Sequence, residues 1–292
     1  MPQNLDKDGL RSRINNYDLF FIDIWGVLHN GLQIFQDSIE VLENLKINNK
    51  EFVLLTNAPR PNATVIEFLK KLGLNKFYEN VYTSGEASLK YLIENYHNLK
   101  FYHIGPPKDF DLFKEFKNNK VVNIKKADYF ICTGLFEDHE TKLEYYRDLL
   151  LKFVNKKLIC TNPDLIVDRG DKREFCAGSI AKIFEEIGGK VIYFGKPYSP
   201  VYNLSAKISN KKVLCIGDNM NTDIKGANNQ KFDNLLITSG IHKNELSIGS
   251  IDKLEEKYGV KVNYIQTKLK WWAKLKFIKT LKFKKNIKMQ WY

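Results

Sequence analysis

No stretch of the chain approaches the roughly 20 consecutive apolar residues that a membrane-spanning helix needs. The opening Met1-Pro2-Gln3-Asn4-Leu5-Asp6-Lys7-Asp8 lacks the apolar core of a signal peptide, so a cytoplasmic location is expected. Cysteine is scarce. Cys132, Cys160, Cys176 and Cys215 have no close metal-ligand spacing, and three of them sit in apolar strand-like runs. A disulfide framework is not expected at this size, and buried reduced thiols are; Cys176 differs in preceding a helix start. Arginine is scarce too, 6 residues against 40 lysines, where phosphate-backbone recognition would favour the guanidinium fork. The net charge of +12 is uneven: residues 266 to 292 hold nine lysines and no acid, which leaves about +3 on the other 265 residues. The rest is globular in character, with 43% hydrophobic and 27% charged residues, and 292 residues exceed a typical single domain. Two domains are expected.

Asp18-Leu19-Phe20-Phe21-Ile22-Asp23-Ile24-Trp25-Gly26-Val27-Leu28 is the most informative segment, because an unbroken apolar run ends in a carboxylate. Leu19 to Ile22 reads as a strand buried on both faces, and its carboxyl end is where open parallel sheets put their ligand crevice. Asp23 is therefore a candidate nucleophile or metal ligand. Three more polar signals follow short apolar runs that would deliver them to the same edge. They are Thr56-Asn57 after Phe52 to Leu55, Lys196 after Val191 to Phe194, and Gly217-Asp218-Asn219-Met220-Asn221-Thr222-Asp223 after Val213 to Ile216. Singly, each reads as a turn, a cap or a solvated lysine.

Strand-like and amphipathic helical runs alternate almost throughout, as in a parallel sheet covered by helices on both faces. Ile39, Leu42 and Leu45 have helical spacing, and Pro59 to Leu72 suits a helix that closes at Gly73. About 100 residues between Gly85 and Lys190 separate Thr56 from Lys196, far more than one crossover needs. They carry strands at Phe101 to Ile104, Tyr129 to Thr133 and Leu158 to Cys160, and helices at Lys142 to Phe153 and Ile180 to Ile187. The reading is a doubly wound α/β core made of residues 1–85 and 191–271, an inserted α/β domain over 86–190, and a basic aromatic extension over 272–292.

This order of motifs resembles the haloacid dehalogenase superfamily of hydrolases, in particular its NagD-like, class IIA phosphatase branch. The resemblance covers roughly residues 15 to 270. Besides the segments above, Ala58-Pro59-Arg60, Cys160-Thr161-Asn162-Pro163-Asp164, Cys176-Ala177-Gly178-Ser179-Ile180 and Phe194-Gly195-Lys196-Pro197 carry it. It implies a Rossmann-like core with a cap that covers the site and selects a small phosphorylated metabolite. It implies attack by Asp23 on a phosphate ester, giving a phospho-aspartyl intermediate that water hydrolyses. Mg²⁺ would be held by Asp23, the Trp25 backbone carbonyl, Asp218 and Asp223, a set that suits a small hard cation. Thr56 and the backbone at Asn57 would bond the phosphoryl oxygens, and Lys196 would neutralise developing charge and keep Asp23 ionised.

The chain departs from that pattern at Trp25. In phosphatases of the superfamily this position holds a second Asp that protonates the leaving alcohol and later activates water, and an indole N–H can do neither. Losing such a group costs on the order of a hundred- to ten-thousand-fold in rate. Three readings stand. One is a slow phosphatase that uses a good leaving group or another proton source, with His29 the nearest ionisable substitute. A second is carbon–halogen hydrolysis, which the superfamily's dehalogenases perform without Mg²⁺ and with an aromatic residue here; Asp218 and Asp223 would then crowd Asp23 with like charge. The third is a protein that binds a phosphorylated ligand without useful turnover.

At the cap mouth, the Gly178 and Ser179 amides lead into a helix and could face an anionic substrate, or Ser179 is an ordinary cap. Arg60, Asn162 and Asp164 are further substrate-binding candidates. In the extension, Leu269, Trp271, Ala273, Leu275 and Phe277 alternate as in a strand, while Leu275, Ile278 and Leu281 fit a helical stripe. Aromatics interleaved with lysine would adsorb to an anionic membrane or to single-stranded nucleic acid, or form a frayed tail.

Overall fold

The computed structural model describes residues 1–169 and 172–272. The expected extension lies outside them except for Trp272, which is half exposed, with the Arg11 guanidinium 3.7 Å from its ring centroid. Thirteen strands occur among the described residues: β1 Gln3–Asn4, β2 Leu19–Asp23, β3 Glu51–Thr56, β4 Val81–Thr83, β5 Phe101–Ile104, β6 Tyr129–Cys132, β7 Lys157–Cys160, β8 Ile166–Arg169, β9 Lys172–Phe175, β10 Lys190–Tyr193, β11 Val213–Gly217, β12 Asp233–Ile237 and β13 Tyr264–Gln266.

Seven strands form one parallel sheet in the order β1-β13-β12-β11-β2-β3-β4. From β2 the chain winds outward through β3 and β4, and from β11 it winds the opposite way through β12 and β13. The order reverses between β2 and β11, so the sheet is doubly wound and its crevice opens at that seam. Every residue of β2 and of β11 is buried, as expected where helices cover both faces.

The inserted segment builds a second parallel sheet, β10-β7-β6-β5, and an antiparallel pair, β8-β9. Contrary to what its pattern suggests, the apolar run Val191 to Phe194 does not join the main sheet edge; Lys190–Tyr193 pairs with β7 in the second sheet. A short buried run looks the same whichever sheet accepts it, because strand pairing leaves no mark on a single strand's pattern.

Three apolar clusters set the layers. One face of the main sheet packs Phe20, Ile22, Leu54 and Leu214 against Val41, Leu42 and Leu45 of the helix Gln36–Ile47 and Val65 and Leu69 of the helix Asn62–Lys71. The outer face of the cap sheet packs Phe130, Leu158 and Cys160 against Tyr146, Leu150, Ile180 and Phe184. Between the sheets lies a shared cluster, in which Phe21, Val53 and Leu55 of the main sheet and Phe101, Tyr129 and Ile131 of the cap sheet enclose Ala87, Leu92 and Tyr96. Those three belong to the helix Ser84–Tyr96, which starts straight after β4, with Thr83 accepting the Glu86 amide hydrogen and Glu86 in turn accepting from the Asn62 amide. No helix among the described residues is long and apolar enough to cross a membrane.

Candidate active site

Asp23 ends β2 and Asp218 follows β11, so the seam of the sheet brings the two carboxylates together. Asp223 enters through the next turn, where the backbone widens into a π-helical turn: the Asn219 carbonyl accepts from the Asp223 amide at 3.0 Å and the Ile224 amide at 3.2 Å. Such turns recur at functional sites because they re-aim side chains. Carboxylate oxygens of Asp23, Asp218 and Asp223, all buried, lie within 4.8 Å of one another. Lys196 is equally buried and donates to Asp23 Oδ1 at 2.6 Å and to Asp223 Oδ1 at 2.7 Å.

Three carboxylates thus face one ammonium out of water. Burial, and then the Asp223 charge, push the Asp23 carboxyl well above the usual range, with Lys196 pulling against them. Burial and Asp223 likewise raise Asp218 to about 7. Burial pulls Lys196 down, but Asp223 and Asp23 outweigh it and hold the ammonium above its ordinary value. A hard divalent cation among these oxygens would relieve the surplus negative charge, so the donor set fits a small oxygen-preferring metal ion.

Backbone groups fix the carboxylates. Asp218 Oδ2 accepts from the Ile241 amide at 3.0 Å, Asp223 Oδ2 from Asn219 at 3.1 Å, and Asp23 Oδ1 from Ile24 at 2.8 Å. Gly26 has φ 81°, and a Cβ there would stand 2.1 Å from Asp218 Oδ2, so both the turn and the close approach require glycine. The Ser239-Gly240-Ile241 segment after β12 was not anticipated. Its signal is the same as the others, an apolar run, Leu235 to Ile237, ending in small polar residues.

A cavity of about 450 Å³ opens over this cluster, lined by Asp23, Trp25, Thr56, Lys196 and Asp218 from the core and by Asp164 from the cap, among others. Thr56 Oγ1 accepts from the Ala58 amide at 3.2 Å, which leaves its hydroxyl hydrogen to donate into the cavity. The Asn57 side chain is fully engaged: Oδ1 accepts from the Lys196 amide at 2.7 Å, and Nδ2 donates to the Lys196 carbonyl at 3.0 Å and to Asp164 Oδ1 at 3.1 Å. It locks the Lys196 loop and the cap loop onto β3.

Other candidates fall elsewhere. Arg60 does not line the cavity; its guanidinium bonds Asp109 at 2.9 Å and the Lys108 carbonyl, tying core to cap. The Gly178 and Ser179 amides do not await an anion, since they donate to the Asp164 and Cys176 carbonyls, and Ser179 Oγ donates to the Leu165 carbonyl at 2.6 Å. Gly178 matters for space instead, because a Cβ there would stand 2.2 Å from the Pro163 carbonyl oxygen. Asn162 Oδ1 accepts from the Asp164 amide, shaping the same loop. His29 is buried, with Nδ1 accepting from the Gly31 amide at 2.8 Å and its ring edge-on to Trp25 and Phe68, and burial lowers it to about 4. It is a neutral strut of the loop, not a proton source facing the cavity. Cys176 is buried as well, and burial raises its thiol, so it is no nucleophile.

Two family models match the chain, haloacid dehalogenase-like hydrolase over residues 20–118 and a HAD-hydrolase-like model over 193–257. A hydrolase of the haloacid dehalogenase-like family from Brucella suis 1330 is 31% identical with a TM-score of 0.74, over 80% of this chain and 94% of that one. The 5'-nucleotidase YutF of Bacillus subtilis (strain 168) is 24% identical over 82% of this chain and 94% of its own length. A 4-nitrophenylphosphatase structure from Thermotoga maritima, 24% identical, shares the fold with a TM-score of 0.68 over 90% of this chain and 98% of that one.

Proposed function

The chain belongs to the haloacid dehalogenase-like hydrolases, and on that footing we propose that it is a cytoplasmic, Mg²⁺-dependent phosphatase of a small phosphorylated metabolite. The observation that carries the reading is the bridge of Lys196 between Asp23 and Asp223 beside Asp218, at the floor of a cavity that also holds Thr56. Asp23 attacks the phosphorus in line with the leaving oxygen, and the phospho-aspartyl group is then hydrolysed by water. Thr56 donates to a phosphoryl oxygen, joined by the backbone amide at Asn57. Lys196 offsets charge on the transferring group and holds Asp23 in place. Asp23, Asp218, Asp223 and the Trp25 carbonyl would hold Mg²⁺, which when bound polarises the phosphoryl group and screens the nucleophile from the substrate's charge. The residues of the cap loop close the cavity above and exclude water.

A cavity of about 450 Å³ suits a small ester. The names of the relatives, a nucleotidase, sugar phosphatases and a dihydroxyacetone phosphatase among them, support a phosphate monoester as the substrate class. Trp25 favours a second reading, a binder of phosphorylated ligands with little turnover.

Phosphate release from aryl, sugar, nucleotide and acyl phosphates, with and without Mg²⁺, separates the two. Metal-dependent release that Asp23→Asn abolishes is the expected result. Phosphorylated ligands that raise the melting temperature without any release would leave only the binder.

A further inference from the structure

Phosphoryl transfer from an alkyl ester to Asp23 leaves an alkoxide to be protonated, and Trp25 has no proton to give. The cavity holds one carboxyl outside the Asp23–Asp218–Asp223 triad, Asp164, which descends from the cap loop after β7 and faces the same space as Asp23 and Trp25. Its position is built, not incidental. The Asp164 amide donates to Asn162 Oδ1 at 3.0 Å, its carbonyl accepts from the Gly178 amide at 3.1 Å, and Oδ1 accepts from Asn57 Nδ2 at 3.1 Å. Asn57 is also bonded on both sides to the Lys196 backbone, so the carboxyl is referenced directly to the floor of the site.

We propose that Asp164, supplied by the cap, is the general acid and base of this hydrolase in place of the missing core Asp at position 25. The proposal rests on the phosphatase reading above. As Asp23 Oδ bonds to phosphorus, the bond from phosphorus to the ester oxygen breaks, its electron pair stays on that oxygen, and the Asp164 proton goes to it, releasing the alcohol. In the second half, water attacks the phosphorus, its proton passes to the Asp164 carboxylate, and the bond to Asp23 breaks to give inorganic phosphate and restore both carboxyls. Burial raises Asp164 to about 6; Lys196 and the Asn57 bond oppose this and Asp223 reinforces it, so both protonation states are accessible near neutrality. The other titratable groups that feel its charge are Asp218, Cys160 and Cys176.

The test compares 4-nitrophenyl phosphate, whose leaving group needs no proton, with glycerol phosphate, whose leaving group does. Full-length wild type, Asp164→Asn and Asp23→Asn are mixed rapidly with each ester in Mg²⁺. Asp164→Asn is expected to lose on the order of 10²- to 10⁴-fold in glycerol phosphate turnover. With 4-nitrophenyl phosphate it should still give a burst of one nitrophenolate per chain and then stall as phospho-enzyme. Equal losses on both esters with no burst, or no loss on either, would overturn the assignment. The wild type provides a measurement that does not depend on the variant folding. A wild-type preference for the aryl ester beyond about a thousand-fold means that no acid operates and also overturns it. Wild type that releases phosphate from neither ester, nor from any sugar, nucleotide or acyl phosphate, refutes the phosphatase reading itself, and the inference with it.

Discussion

Replacing Lys196 with Met removes the single cation from a buried cluster of three carboxylates while keeping a side chain of similar length. Breaking a buried ion pair by deleting one partner costs about 3–5 kcal/mol. Here one ammonium serves Asp23 at 2.6 Å and Asp223 at 2.7 Å, which places the variant near the upper end. Against a total stability of about 5–15 kcal/mol this is a third or more, and at about 2–4 °C per kcal/mol it lowers Tm by roughly 10–20 °C. The loss depends on pH, with a definite sign. Burial and Asp223 already raise the Asp23 carboxyl, and without Lys196 the main opposing charge is gone. The folded state then keeps a proton that the unfolded chain gives up near its usual value of about 3.9. Stability from that proton is full below that value and drains as pH rises through the folded one. The deficit of Lys196→Met relative to wild type should therefore be largest near pH 8 and smallest near pH 5, in thermal scans free of divalent ions. Mg²⁺ at pH 8 should recover part of it. A deficit below about 1 kcal/mol, or one that does not change between the two pH values, would refute the charge-surplus account of this site.

Gly26→Ala puts a methyl against Asp218 Oδ2 in a left-handed turn; a loss of about 1–3 kcal/mol and weaker Mg²⁺ binding by titration calorimetry are expected. Asp218→Asn removes a carboxyl raised to about 7, whose stabilising contribution is full below its unfolded value near 3.9 and lost by neutrality. In divalent-free buffer this variant should melt higher than wild type at pH 8 and similarly at pH 4, and its Mg²⁺-induced rise in Tm should shrink. Arg60→Ala leaves the buried Asp109 without its guanidinium and should cost about 1–3 kcal/mol in urea denaturation, with no direct effect on phosphate binding.

The parts of the site that could be read from the chain alone are those where a strand pattern ends in a chemically distinctive residue. Asp23, Asp218 and Thr56 each close a buried run, and parallel topology then carries them to one edge whatever the details. Lys196 reached the cluster for a different reason than anticipated, since β10 belongs to the other sheet and only the loop after it returns to the core. Pairing partners are long-range facts, and a strand's own residues do not encode them. The two-residue β1 is too short to have a period, and the β8-β9 pair mixes charge with its apolar residues, so neither announced itself. Arg60, Gly178, Ser179 and His29 show a further limit. Polar residue types beside a motif advertise chemistry, but whether their hydrogens and lone pairs are already taken by backbone neighbours is decided only by the packed loop.

The apolar layer around the helix Ser84–Tyr96 belongs to both sheets at once, with Tyr96 against Tyr129 at 4.6 Å and Tyr91 against Phe194 at 5.0 Å between ring centroids. A core held in common makes the two parts one cooperative unit on heating or in denaturant: neither sheet can melt and leave the other intact without exposing the same rings to water. The layer acts as the fixed joint between the two sheets, and Ser84 Oγ, at the start of its helix, reinforces it by donating to the Thr161 carbonyl of the cap at 2.6 Å.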